Sequence, residues 1–496
     1  MSGAGGAAGL GPVVGEERLL IDGELRPARS GRTFETVNPA TGEVLGVAAD
    51  GAAEDLDDAI GAARRAFDTT AWSTDTALRV TGLRQLHAAL LARSDELRAM
   101  TVAEVGAPLG MTHHAQLDSP VASLAWVADL LEGYVFETDL GEAAPLGIAS
   151  HRWIRREATG VVGAVTPWNV PHQINLAKLG PALAAGNTVV LKPAPDTPWC
   201  ATVLGRIIAE ETDIPAGVVN VVPSSDHAVG ALLSTDPRVD MVSFTGSTAT
   251  GRKVMAAAAE TIKKVFLELG GKSAFVVLDD ADLATACATA AFTVCTHAGQ
   301  GCAITTRLLV PRSRFDEAVE ATAGVMAALP AGDPTDPGTI CGPLISARQR
   351  DRVEGYLRLA LDEGGSFVLG GGRPEGMDAG FFIEPTLVVG LPNTSRVAQE
   401  EIFGPVLTVI PHDGDDDAVA LANQSVYGLS GSVWGERDRA IAVANRIRTG
   451  TLGINGGLWF SPDVPFGGYG QSGVGRESGV AGFEEYLEIK SLAEPA

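Results

Sequence analysis

The chain has 496 residues, of which 45% are hydrophobic, 61 acidic and 37 basic, for a formal net charge of −24. That length holds two or three domains with large cores, and that apolar content excludes a disordered chain. So acidic a protein repels phosphate backbones and anionic lipid, which excludes nucleic acid and membrane surfaces as expected partners.

The five cysteines, Cys200, Cys287, Cys295, Cys302 and Cys341, form no C-x-x-C pair. An odd number at low density predicts reduced thiols in a cytoplasmic protein, with neither a disulfide framework nor a metal site. Residues 1–15 are rich in Gly and Ala and lack the basic start and apolar stretch of a signal peptide, so a disordered lead-in is expected there. Leu20 to Glu24 reads as a strand entering a turn, and Asn38 to Glu43 as a second turn. From Ala53 to Tyr134 the pattern is helical, with Leu56, Ile60, Ala63 and Phe67, then Leu83, Leu86, Leu90 and Leu91, at three- and four-residue steps. Ser150 to Thr159 is arginine-rich and reads as a solvated surface strand.

Apolar runs then alternate with helical stretches. The runs are Val161–Val165, Asn187–Leu191, Val218–Val222, Met241–Phe244 and Val265–Leu269; helices are expected over Pro198–Glu211 and Thr250–Lys264. This alternation predicts an α/β fold with a parallel, Rossmann-like sheet. A second alternating block runs from Ser273 to Gly457, with its clearest strand at Ala274–Leu278. The tail from Gly475 carries Phe483 to Ile489, which ends as an alternating strand.

Two residues suggest covalent chemistry. Cys302 closes Gly299-Gln300-Gly301-Cys302, and Glu268 sits in Leu267-Glu268-Leu269-Gly270-Gly271-Lys272. A thiolate can hold an acyl group that a carboxylate-activated water releases. Flanking glycines let substrate approach closely. Partial desolvation of Glu268 would raise its pKa toward the range of a general base. No G-x-G-x-x-G follows a strand, but Phe244-Thr245-Gly246-Ser247 follows one and opens a helix, which suits an anion. Lys192 ends a parallel strand, where ligands bind.

These segments, with Pro167-Trp168-Asn169, Glu401-Ile402-Phe403-Gly404-Pro405 and Pro465-Phe466-Gly467-Gly468, resemble signatures of the aldehyde dehydrogenase superfamily. The similarity runs from Val37 to Tyr469, with Gly470 where the family usually has lysine. The resemblance implies a Rossmann-like cofactor domain (16–137 and 158–268), an α/β catalytic domain (269–474), and a small β oligomerisation element (138–157 and 475–496). That element would pair subunits of a homodimer or homotetramer. It also implies oxidation of an aldehyde to an acid with NAD(P), by Cys302 as nucleophile, Glu268 as base for hydrolysis and Asn169 as oxyanion donor. The branch that passes the acyl group to coenzyme A lacks this glutamate.

By the same resemblance Thr166, Pro167, Trp168, Lys192, Pro195, Gly230, Phe244, Gly246, Ser247, Leu269, Glu401 and Phe403 would hold the cofactor. Pro195 stands where members favouring NAD often carry glutamate. Asp196 beside it disfavours a 2′-phosphate and no Arg or Lys lies close by, so NAD is expected, with NADP open. The substrate entrance would be lined by Leu124, Val170, His172, Gln173, Gly301, Ala303, Trp459 and Phe460. Most are apolar and none is cationic, which fits an uncharged aliphatic or aromatic aldehyde, with small Gly301 and Ala303 leaving room for bulk. Two other classes stay open: a cofactor-binding protein that has lost its chemistry, and a thioesterase using the same thiol.

Overall fold

The computed structural model describes residues 10–11 and 13–496. Most of the expected lead-in, residues 1–9 and Pro12, lies outside the described residues, but Val13 already packs against the first core.

Two parallel sheets, each covered by helices on both faces, make up most of the molecule. In the first, strands lie in the order Gly473–Val474, Lys264–Glu268, Met241–Thr245, Val161–Val165, Thr188–Lys192, Val219–Val221, Leu19–Ile21 and Glu24–Arg26. The five from Lys264–Glu268 to Val219–Val221 are mutually parallel. They are the short apolar runs of the sequence, nearly all buried, as parallel strands under two helical layers must be. The chain enters at Val161–Val165, winds outward through Thr188–Lys192 to Val219–Val221, then crosses to Met241–Thr245 on the other side. That reversal opens a crevice at the carboxyl ends of the central strands.

The second sheet has the order Ser366–Leu369, Thr386–Val389, Val406–His412, Thr305–Pro311, Ser273–Val277, Gly431–Trp434 and Gly453–Ile454, parallel except at its Ser366–Leu369 edge. A third, three-stranded sheet pairs Glu137–Ala143, Ser150–Ala158 and Leu487–Pro495 antiparallel.

Two features depart from the sequence reading. The helix expected to reach Lys264 spans Thr248–Ala258 and ends in a short turn with Ile262 at φ 55°, which frees Lys264 to open its strand. Phe483 is in a helix, Gly479–Glu484, because its ring packs edge-on against Tyr134, centroids 4.7 Å apart. Phe483 and Tyr486 therefore belong to the core of the first sheet, and the outer strand of the tail begins only at Leu487.

Candidate active site

Strand register assembles the site. Lys192 lies opposite Val165, and Glu268 opposite Thr245, so the segments leaving these strands converge at one edge. Between that edge and the second sheet runs the Cys302 loop.

The loop is held in an uncommon shape. The helix Leu283–Cys295 ends, and His297, Ala298 and Gly299 follow at φ 51°, 52° and 70°. Two non-glycine residues in the left-handed region persist only where surroundings over-determine them. Here they do. His297 Nε2 lies 2.9 Å from the carbonyl of Asn169, and Gln116 Nε2 donates to the same oxygen at 2.8 Å. Gln300 is clamped by its amide, donating to the carbonyls of His297 and Pro343 and accepting from Ile345 N. A Cβ on Gly299 would come within 2.1 Å of the Gly404 carbonyl oxygen, so glycine is required there.

Cys302 is half-buried at the end of this loop, whereas the other four cysteines are buried. Burial and the carboxylates of Glu268 and Glu401 push its thiol well above the ordinary range. The resting group is therefore a thiol that needs a proton acceptor. Glu268, only 2% exposed, stands against it, and its Oε1 has no hydrogen-bond partner among the described residues. Burial, then the charge of Glu477, push the Glu268 carboxyl up to about 8, while Cys302 and Lys178 pull it down. The orphaned oxygen of a buried carboxylate is costly, by about 1–3 kcal/mol or more, and is a position for a water to be activated. Asn169, 3% exposed, donates from Nδ2 to the carbonyl of Gln300 at 3.0 Å, which aims the amide at the loop bearing Cys302. The amide has a second N–H to donate.

Beside this centre, Gly271 N donates to Glu401 Oε1 at 3.1 Å, tying the Glu268 turn to the Glu401 segment. A Cβ on Gly270 would meet the Glu401 carboxylate at 2.5 Å, so a larger residue there would displace that side chain. Phe403 at φ 63° stands edge-on to Trp168, centroids 5.4 Å apart. Gly246 is covered by the Phe244 ring, and Ser247 caps the helix Thr248–Ala258, exposed and accepting from Thr250 N. Leu269 packs under Gly251 of that helix. Lys192 is buried, donates to the carbonyl of Ser224 at 3.2 Å, and lays its stem on Gly230. Thr166 is buried with its hydroxyl unpartnered, and Pro167 and Pro195 are half-buried nearby in sequence. An exposed helix N-terminus, a lysine at a strand end and a buried glutamate at the crevice suit a dinucleotide laid across the edge.

At the entrance Val170, Gln173, Gly301, Ala303 and Trp459 are half-buried and Phe460 is exposed. Trp459 stacks on Phe466 at 5.3 Å, so the far wall is aromatic. Three entrance expectations are corrected. Leu124 is 1% exposed and fills the helix interface at Gly180, because the flat glycine surface draws it inward. His172 is also buried, with both ring nitrogens unpartnered, and burial holds it neutral by lowering its pKa to about 4. The space beside Gly301 is taken by Ile304, whose Cδ1 would lie 2.9 Å from an added Cβ.

A family model described as the aldehyde dehydrogenase family matches residues 26–492. The chain belongs to the aldehyde dehydrogenase family. It is 42% identical to a 3-succinoylsemialdehyde-pyridine dehydrogenase from a Pseudomonas species, over 96% of this chain and 98% of that one. A Mycobacterium tuberculosis aldehyde dehydrogenase solved with NAD+ superposes with a TM-score of 0.93 at 42% identity, covering 97% and 98% of the two chains. A mutant of aldehyde dehydrogenase C from Pseudomonas syringae, complexed with NAD+ and octanal, gives 0.91 at 38% identity and 96% coverage of each chain.

Within this aldehyde dehydrogenase fold, four residues near the site were not singled out in the sequence. Gln116 and His297 reach Asn169 from distant segments, and no local signal marks them; Glu477 and Lys178 form a buried pair, 3.1 Å apart, that sets the charge near Glu268. The absence of a cation near Asp196 is also corrected: Arg348 Nη2 lies 3.4 Å from its Oδ2, brought in by chain folding.

Proposed function

We propose that this aldehyde dehydrogenase oxidises an uncharged aliphatic or aromatic aldehyde to its carboxylic acid, with NAD as the preferred acceptor. The observation that carries it is the buried Glu268 with an unpartnered Oε1 beside Cys302, opposite the amide of Asn169. Glu268 takes the thiol proton, and Cys302 Sγ adds to the carbonyl carbon. The oxyanion that forms is met by Asn169 Nδ2 and the backbone N–H of Cys302; a donor of this kind lowers the barrier by about 3–4 kcal/mol. Lys192, Ser247 and Glu401 would hold the nicotinamide dinucleotide, which when bound would supply the hydride acceptor needed to oxidise the adduct to a thioester. Glu268 releases the thiol's proton to solvent and is then free to take one from water; the hydroxide adds to the thioester carbon, the carbon–sulfur bond breaks, and the acid leaves as Cys302 recovers a proton from Glu268.

NAD is favoured by the carboxylate of Asp196 near the strand end bearing Lys192, and by relatives solved with NAD+. An uncharged substrate is favoured by the aromatic Trp459–Phe466 wall and by an octanal-bound relative. Subunit pairing through the three-stranded sheet is favoured by Leu140, Ile148 and Ile489, exposed apolar side chains on or beside it. Five free cysteines favour the cytoplasm.

The test is formation of NADH from octanal, benzaldehyde and succinic semialdehyde, with wild type and Cys302→Ala. Turnover of the first two, abolished in the variant, is expected. Preference for succinic semialdehyde refutes the substrate class, and steady turnover by Cys302→Ala refutes the mechanism.

A further inference from the structure

In the second sheet, Lys272 and Arg307 line a small cavity formed by the strands Ser273–Val277 and Thr305–Pro311 and the segments 427–430 and 447–449. Both are buried, at 2% and 1% exposed. Arg448, on another wall, is exposed, and Tyr427 is half-buried. Two cations thus stand deep in the cavity and a third stands where it meets solvent. Among the described residues no Asp or Glu lines it. That is unexpected in a chain with 61 acidic residues against 37 basic ones.

Neither buried cation touches a counter-ion among the described residues. Arg307 donates from Nε to the Lys272 carbonyl, from Nη1 to Asn393 Oδ1 and the Leu421 carbonyl, and from Nη2 to the Ala422 carbonyl. All of these are neutral oxygens, and one N–H of Nη2 is left over. Lys272 Nζ is buried and has no hydrogen-bond partner among the described residues. Burial, then the charge of Arg307, push its ammonium down to about 7, against the through-space pull of Glu401 and Glu400. Lys178, also buried, shows the usual arrangement, with Glu477 Oε1 at 3.1 Å. Two neighbouring like charges enclosed without a carboxylate are costly unless an anion joins them.

We infer that this cavity is a binding site for one monovalent halide ion, with chloride its natural occupant. Size selects the ion. The cavity has a volume of about 20 Å³, room for a single water-sized particle. Phosphate, sulfate and carboxylates are too large. Donors are at hand in Lys272 Nζ and the spare Nη2 N–H of Arg307, and Ser430 and Tyr427 on the same walls carry hydroxyls. A water would meet those donors but leave both charges unbalanced, so the ion is preferred. Arg448 at the mouth draws the anion in against the acidic surface of the chain.

The experiment uses the full chain. Crystals are soaked in sodium bromide and diffraction is recorded at the bromine edge, and thermal unfolding is followed in sodium chloride and in sodium gluconate at equal ionic strength. An anomalous peak between Lys272 and Arg307 is expected. In solution the unfolding midpoint should stand about 1 °C or more higher in chloride, with a saturating dependence, because gluconate is too large to enter. Lys272→Met, which keeps the length of the side chain and removes its charge, should abolish that difference. Should Lys272→Met fail to fold, Arg448→Gln decides: the half-saturating chloride concentration should rise by roughly threefold, and an unchanged value overturns the inference. Bromide found only elsewhere on the protein overturns it, as does a Lys272→Met variant that keeps the full chloride effect. A peak in the cavity with equal midpoints in the two salts marks an adventitious ion only and overturns it as well.

Discussion

Glu104 and Glu268 are both fully enclosed glutamates, and they do opposite things. Glu104 projects from the helix Ser94–Val105 onto the start of Trp199–Glu211. There it accepts from Trp199 N and Cys200 N at 2.8 Å each and from the Thr36 hydroxyl at 3.2 Å. Burial pushes it up to about 7 against these donors, and a helix N-terminus favours its charge. It joins three segments. Glu268 has comparable burial, no donor on Oε1, the charge of Glu477 nearby, and a carboxyl pushed up to about 8. Seclusion alone does not make a carboxylate reactive. What separates the two is whether the fold has used up its lone pairs.

That contrast can be broken or sharpened by substitution. The largest effect expected is on Glu268→Gln, whose steady-state rate should fall by about 10²–10⁴ while a single, slowed burst of NADH survives, because the thiol has lost its proton acceptor and the thioester its activated water. Rapid mixing reads the burst, and undiminished steady turnover would place Glu268 with Glu104 as a structural residue. Glu104→Gln should instead lose stability. Its new amide N–H₂ would face backbone donors, a mismatch of roughly 2–4 kcal/mol. A lowered midpoint in thermal unfolding with near-normal kcat per folded enzyme is expected; a midpoint equal to wild type would dissolve the comparison.

The smallest effect is in pH. Because the folded-state pKa of Glu268 is raised from 4.5 to about 8, the native protein binds this proton more tightly than the unfolded chain. The associated stability is fully present below 4.5 and is lost as pH rises through about 8. Unfolding of Glu268→Gln should therefore gain on wild type as pH rises from about 5 to about 9. The wild-type hydrolytic rate should climb over the same range as the base ionises. A difference between the two proteins that is flat in pH would show that Glu268 titrates normally.

The same distinction explains how much was legible in the sequence. Buried parallel strands announce themselves as short apolar runs, so the positions at their ends, Lys192, Gly246 and Glu268, could be placed before any packing was known. Cys302 stood out because glycines surround it, whereas Cys200 and Cys287 sit among apolar neighbours. Contacts between distant segments left no trace. Gln116, His297 and Arg348 act through partners 53, 128 and 152 residues away, and nothing in their own neighbourhoods calls for them. Leu124 and His172 failed differently: their helices are buried on several sides, so no sequence pattern tells core from entrance. The helical place of Phe483 went unread because the ring's destination, an aromatic cluster with Tyr134, is set by a segment far upstream.

The Glu268 strand is also where the last part of the chain comes to rest. Leu269 N donates to the Ser472 carbonyl, Gly473 pairs with Glu268, and a side chain on Gly473 would strike the Leu267 carbonyl oxygen at 2.0 Å. Lys178 pairs with the carboxylate of Glu477, and Ser243 with the phenol of Tyr486. On a ribosome these residues emerge after every other strand of both large sheets. The nascent protein thus carries its thiol and its base before it has the strand that seats them.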